Sequence, residues 1–325
     1  LKFLGDVVLS TPVLETLREH FPEARIDYLA SAPHAQVLRG HPFVDQLFEL
    51  PARPRIADMA RMVARLREGP AIDWAFDLWS GPRSAILVRL SGARQRVGLN
   101  RGVRARLFQH RREDPTEHPS AIRCHLDRLV PLLGQMPEAR APRLGRDAGR
   151  TATILRRHGL EERAFTLVHP GSTWPDKAWP RERWPVLIER MDRSRFGDPV
   201  IVTPPGEEET ARWIASEASC RRVPVLQIPE IMDLLPAARS FVGNDGGVLH
   251  MAVAYRVPSV GLFGPTDPRI WFPYEDLGPY RVVTGCGPEE FDARGNKLSR
   301  LGPIEVETVA AALDEVTALA REGAG

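Results

Sequence analysis

The stretch from residue 240 to 266 constrains the fold of this chain more than any other part of it. An apolar run reaches Val242, and Gly243, Gly246 and Gly247 follow at once. Glycines there let a backbone turn sharply and come close to a ligand. Asn244 or Asp245 suits the N-cap of a helix that continues through His250 and Ala252. The pattern resumes as a second apolar run closed by Gly264, Pro265 and Thr266. Strand, turn, helix, strand and turn describe a βαβ unit. In open α/β sheets ligands sit at the carboxyl ends of the strands. A helix start with free N–H groups and no side-chain bulk is there a ready anion site. An ordinary βα turn with a capping Asp has the same appearance when it stands alone.

The rest of the chain repeats that grammar. In the first half, helices are expected over 7–20, 33–39, 56–68, 82–90 and 120–133, and strands over 25–29, 46–50, 74–78 and 95–99. Residues 1–4 read as the end of a strand and Gly5-Asp6 as the turn after it. Pro12 fits the first turn of the helix it enters. Residues 100–118 are polar and rich in arginine, and read as a loop. Residues 137–150 mix Pro, Gly and Arg and read as a linker. In the second half, strands are expected over 165–168, 200–203, 223–227 and 280–284. Helices are expected over 181–192, 207–217, 231–238 and 306–320, together with one ending at Gly159. Alternating strands and helices mean parallel sheets covered on both faces. The expectation is two doubly wound Rossmann-like domains facing a cleft, residues 1–145 and 146–325.

A length of 325 residues suits two domains. No run of about 18 uncharged apolar residues is present, so nothing is expected to span a membrane. The net charge of +2 is small, and no nucleic-acid partner is expected. Its basic side is nonetheless local: Arg83, Arg89, Arg94, Arg96, Arg101, Arg104, Arg106, Arg111 and Arg112 crowd one region. Planar guanidinium forks suit carboxylates and phosphates, although a solvated arginine face has the same sequence. Cys124, Cys220 and Cys286 are odd in number and lack metal-ligand spacing, so a reducing cytoplasm is the simplest setting. The sequence opens at Leu1 and not at Met, so a few preceding residues are expected.

Three turns carry chemistry-bearing side chains: Gly5-Asp6, the loop Gly171-Ser172-Thr173-Trp174-Pro175-Asp176-Lys177, and residues 243–247. All are expected at the carboxyl side of their sheets. Lys177 is a compact point charge suited to a diphosphate, with Ser172 and Thr173 as added hydroxyl donors. Asp6 reads either as a general base or as a helix cap. His250 reads either as a phosphate contact or as a buried structural histidine. Trp174, Trp179 and Trp184 read as pocket walls or as core. There is no P-loop, no HExxH and no paired-cysteine zinc pattern.

Four segments together resemble glycosyltransferase family 9, the ADP-heptose:lipopolysaccharide heptosyltransferases. They are LGDVVLSTP at 4–12, VHPGSTWPDKAWP at 168–180, VGNDGGVLHMA at 242–252 and LFGPTDP at 262–268, with weaker echoes in DLWSGPRS at 77–84 and GARQRVG at 92–98. The resemblance spans nearly the whole chain. It implies a GT-B fold with the acceptor in the N-terminal domain and the nucleotide sugar in the C-terminal one. It also implies an inverting reaction without metal or cofactor at the cytoplasmic face of the inner membrane, with peripheral membrane contact. By motif position Asp6 matches the family's catalytic base, Lys177 its donor-phosphate lysine and Asp245 the acidic residue near the donor sugar. Gly246, Gly247 and His250 fall on the phosphate-binding helix start, and Thr266 on the second donor turn. Arg83, Arg101 and Arg104 are the candidate contacts to an anionic lipopolysaccharide-core acceptor. One departure stands out: Gly246 occupies a position where the family usually has Ser or Thr. Two other readings stay open, a family 9 transferase using a different nucleotide sugar and a non-catalytic two-domain binding protein.

Overall fold

The protein is described by a computed structural model covering residues 3–113, 120–292 and 295–322. It divides into two compact units, Leu1–Pro142 and Arg143–Gly325.

The first unit opens with α1 (Leu4–Leu9) and α2 (Thr11–His20), followed by β1 (Asp27–Ser31), α3 (Ala32–Ala35), β2 (Gln46–Leu50) and α4 (Ile56–Glu68). It continues through β3 (Trp74–Phe76), α5 (Pro82–Leu90), β4 (Gln95–Leu99), β5 (His110–Arg112), α6 (Ala121–Leu126) and α7 (Val130–Leu133). Its strands form two parallel sheets, β1-β2 and β3-β4-β5. Among the described residues β1 pairs only with β2, and β3 only with β4. The unpaired edges border one cavity of about 630 Å³, lined by Val13, Leu17, Tyr28, Leu29, Trp74 and Phe76 among others.

The opening of this unit corrects the sequence reading. Leu1 and Lys2, half of the expected strand end, lie outside the described residues, and Leu4 already begins a helix. Gly5 and Asp6 are therefore not a turn: they sit in the first turn of α1, where a carboxylate complements the helix dipole. The single helix expected over 7–20 is broken at Ser10 for a reason visible in the bonds. Pro12 has no N–H to give Val8, and its ring disfavours an unbroken helix. The hydroxyls of Thr11 and Ser10 take over, donating to the carbonyls of Val8 and Val7 at 2.8 Å each. The expected loop over 100–118 holds a 3₁₀ turn (Gly102–Leu107) and β5, and its residues 114–118 lie outside the description.

The second unit contains α8 (Ala148–His158), β6 (Phe165–His169), α9 (Arg183–Arg190), α10 (Arg193–Phe196), β7 (Asp198–Ile201), α11 (Glu208–Glu217) and β8 (Arg221–Arg222). Then come α12 (Ile228–Leu234), β9 (Ser240–Asn244), α13 (Gly247–Ala254), β10 (Ser259–Phe263), α14 (Pro268–Trp271), β11 (Tyr280–Thr284) and α15 (Val306–Glu322). The strand expected over 223–227 is instead the two-residue β8 just before it. The six strands form one parallel sheet in the order β11-β10-β9-β6-β7-β8. β6, β9 and β10 are buried at every position, as strands covered on both faces must be. Trp179 and Trp184 belong to this core, edge to face with ring centroids 4.9 Å apart. Among the described residues no helix is long and apolar enough to cross a membrane.

Candidate functional site

Strand order in the second sheet reverses between β6 and β9, which makes their carboxyl ends a topological switch point. The loop of residues 170–182 leaves β6, and residues 245–246 connect β9 to α13. Asn244, the last residue of β9, ties the two loops together. Its side-chain oxygen accepts from the Trp179 amide at 3.0 Å, and its NH₂ donates to the carbonyls of Pro170 and Gly171 at 2.8 and 3.1 Å. Asn244 is thus a brace and not the expected helix cap.

That brace brings Lys177 to Asp245. Lys177 Nζ lies 2.7 Å from Asp245 Oδ2, and the hydroxyl of Thr266 donates to the same oxygen at 2.7 Å. The Asp245 side chain is only 6% exposed, that of Lys177 22%, so the pair is screened by water from one side only. Asp245 does not cap α13 either. The N-cap is Gly246, whose φ of −179° is ordinary extended backbone and whose side makes no capping bond. A Cβ at Gly246 would meet nothing nearer than the Asn244 carbonyl at 3.8 Å. No steric demand for glycine exists at this position. Gly247 is the first residue of α13, whose leading N–H groups have no partners within the helix.

His250 is 3% exposed, with Nδ1 3.2 Å from the Tyr274 hydroxyl. Burial pushes its pKa down to about 4, with Asp245 opposing and Lys177 reinforcing the shift. It is a neutral imidazole at physiological pH, so any contact it makes with an anion is through an N–H and not through charge. Ser172 Oγ accepts from the Trp174 amide at 3.2 Å. Thr173 and Trp174 are exposed.

Two residues escaped the sequence reading. His169 ends β6 and places Nε2 3.0 Å from Glu207 Oε2, while its buried Nδ1 has no hydrogen-bond partner among the described residues. The available signal was Gly171: a Cβ there would sit 1.6 Å from the Glu207 carboxylate. Any larger residue there would push the flexible Glu207 side chain aside.

In the first unit Asp6 is half-buried in α1, near enough to Tyr28 for its charge to disfavour the phenolate. Tyr28 itself shares a 2.6 Å hydrogen bond with Ser10. The arginine cluster separates into two kinds. Arg96 is spent on the carbonyls of Leu107 and Ala93, Arg94 on Asp73 and Arg112 on Asp127. Arg83 and Arg101 are exposed, and Arg104 is half-buried with one nitrogen donating to the Ser80 carbonyl at 2.9 Å. Among the described residues no group of three or more His, Cys, Asp or Glu is placed to hold a metal ion.

Two α/β units, each built on parallel strands, make up a fold of the GT-B class. The fold is that of a solved family 9 glycosyltransferase from Veillonella parvula (TM-score 0.84, 20% identity, 98% of this chain and 95% of that one). It is also that of the Escherichia coli ADP-heptose lipopolysaccharide heptosyltransferase II (TM-score 0.79, 22% identity, 99% and 98%). In sequence the chain is 24% identical over 345 residues to lipopolysaccharide heptosyltransferase 3 of Escherichia coli, covering 97% of each. Residues 59–287 match glycosyltransferase family 9 (heptosyltransferase). The chain belongs to that family and is a glycosyltransferase, which sets aside the non-catalytic reading.

Proposed function

We propose that this glycosyltransferase moves heptose from ADP-heptose to the anionic inner core of lipopolysaccharide, with inversion and without a metal. The observation that carries the reading is the cluster of Lys177, Asp245 and Thr266 at the switch point, beside the start of α13. A cation held at a helix start suits a departing diphosphate, whose developing charge it stabilises. The family's description and the names of the relatives supply the sugar and its acceptor.

In this reading Lys177 and the leading amides of α13 bind the ADP diphosphate, and Asp245 orients the lysine and borders the donor sugar. Thr266 acts on Asp245, since its proton is already given to that carboxylate. Gly246 and Gly247 bring the diphosphate to the backbone at the start of α13. His250 supports α13 from within, and Ser172 and Thr173 lie on the loop that would close over the phosphates. Asp6 takes the proton of the acceptor hydroxyl as that oxygen attacks the anomeric carbon. Arg83, Arg101 and Arg104 meet acceptor carboxylates or phosphates. The second half, 146–325, is the donor domain and the first, 1–145, the acceptor domain. The enzyme works in the cytoplasm, in peripheral contact with the inner membrane.

Calorimetric titration with ADP, UDP and GDP, with and without EDTA, tests this. ADP binding that EDTA leaves unchanged supports it. A preference for UDP or GDP moves the donor to another nucleotide sugar, a reading that the missing hydroxyl at Gly246 specifically favours. Loss of binding in EDTA overturns the metal-free mechanism.

A further inference from the structure

After β11, residues 285–292 and 295–302 touch the Lys177 loop and the turn that carries Thr266. Its two limbs are joined at the base, where Gly287 donates its amide to the Arg300 carbonyl at 2.7 Å and Arg300 Nε donates back to the Gly287 carbonyl at 3.0 Å. Higher up, Leu298 donates to the Glu290 carbonyl at 2.9 Å, and Phe291 and Lys297 form an antiparallel bridge. The result is a strap with hairpin-like pairing.

Two hydrogen bonds and one ion pair run from the strap to the loop carrying Lys177. The Arg300 amide donates to the Asp176 carbonyl at 3.2 Å, the Ser299 hydroxyl donates to the Ala178 carbonyl, and Lys297 Nζ lies 3.6 Å from Asp176 Oδ2. Glu289 pairs with the same lysine. The residues on both sides of Lys177 are therefore held from one segment. The strap's next residue, fully buried Leu301, packs under the turn that carries Thr266: a Cβ on Gly264 would lie 2.4 Å from Leu301 Cδ1.

We propose that Lys297, Ser299 and Arg300 are positioning residues that fix Lys177 against Asp245 and so tune donor affinity. The inference rests on the reading of Lys177 as the diphosphate contact. A lysine has four side-chain torsions and is a poor anchor unless its backbone is held. The strap supplies that hold while touching no reacting atom, and it ties the Lys177 loop and the Thr266 turn to one segment.

The test uses the full chain with Ser299→Ala, which removes the half-buried hydroxyl tether, and Lys297→Met, which removes the exposed ionic one. Without ligand, amide exchange at residues 177 and 178 should quicken in both variants while the far-ultraviolet spectrum stays that of the wild type. The ADP dissociation constant should rise about five-fold per tether, and donor KM should rise with kcat and acceptor KM unchanged. Unchanged exchange at 177 and 178 overturns the strap. So does faster exchange with wild-type ADP affinity, which would make the tethers structural only. A wild-type protein that fails to bind ADP would instead overturn the donor assignment, and the ligand-free exchange result would still decide whether the strap holds the loop.

Discussion

Lys177 and Thr266 meet at a single atom: each lies 2.7 Å from Asp245 Oδ2, though they come from loops after β6 and β10. The carboxylate between them is nearly buried. A diphosphate drawing on Lys177 would share it with Asp245, so the lysine is held in place before any ligand arrives. Lys177→Met should raise the ADP dissociation constant about 10- to 100-fold, the scale of one charge-assisted contact. It should also cost about 2 kcal/mol of stability, less than for a fully buried pair because water reaches the lysine. Adding Asp245→Asn should recover stability and leave binding weak. Denaturation and calorimetry on the same three proteins separate the two effects.

Asp6→Asn should abolish sugar transfer, since it removes the proton-accepting carboxylate, while ADP affinity stays within about two-fold because Asn is nearly isosteric with Asp and the change lies in the first unit. The carboxylate is in the first turn of α1, so a stability loss of about 0.5 kcal/mol is expected from the helix dipole alone. Retained transfer activity would remove Asp6 from the role of base.

Gly246→Ser tests the one departure from the family's pattern. The position has ordinary extended backbone and open space around a Cβ. A serine there caps α13 and offers a hydroxyl toward the diphosphate. ADP should bind about five-fold tighter, from one added hydrogen bond, and the melting temperature should hold or rise slightly. Weaker binding would mean that the approach to the amides depends on the absence of a side chain.

The arginine cluster predicts a contrast. Arg83→Ala should raise acceptor KM and leave stability unchanged, because the side chain is exposed. Arg112→Ala should lower stability by about 1 kcal/mol, since Arg112 meets the buried Asp127 at 2.7 Å and is itself a third exposed. Thermal melts and acceptor kinetics on the pair check both halves.

Acidification should loosen the second unit through His250. Its pKa falls from 6.5 to about 4 on folding, so between those values the unfolded chain holds a proton that the folded one does not. The stability from burying a neutral imidazole is full above pH 6.5 and lost progressively toward pH 4. His250→Asn should flatten the fall in denaturation midpoint between pH 7 and 5. A residual slope should remain from His125, held down at about 3 in the first unit.

Much of this was legible in the sequence. Strong apolar periodicity placed α4, α5, β2, β4 and β11 at the residues where they stand. The Lys177 and Asp245 loops could be named because glycines and a switch in period mark strand ends. What escaped were features set by partners distant in the chain. β5 reads His-Arg-Arg and has no apolar alternation; it is a strand because β4 supplies its ladder. The break at Ser10 needed the side chains of Ser10 and Thr11 as substitutes for a missing amide. Asn244 looked like a cap because capping is local, whereas its three bonds reach residues 65 to 74 positions away. The meeting of His169 and Glu207 is likewise long-range, with only Gly171 to betray it.

The central place of β6 and β9 in the six-stranded sheet decides which part of the second unit yields last. Each is paired on both sides and buried at every position. Their amides should therefore be the slowest of that unit to exchange with solvent, so the switch point stays assembled while the outer strands fray.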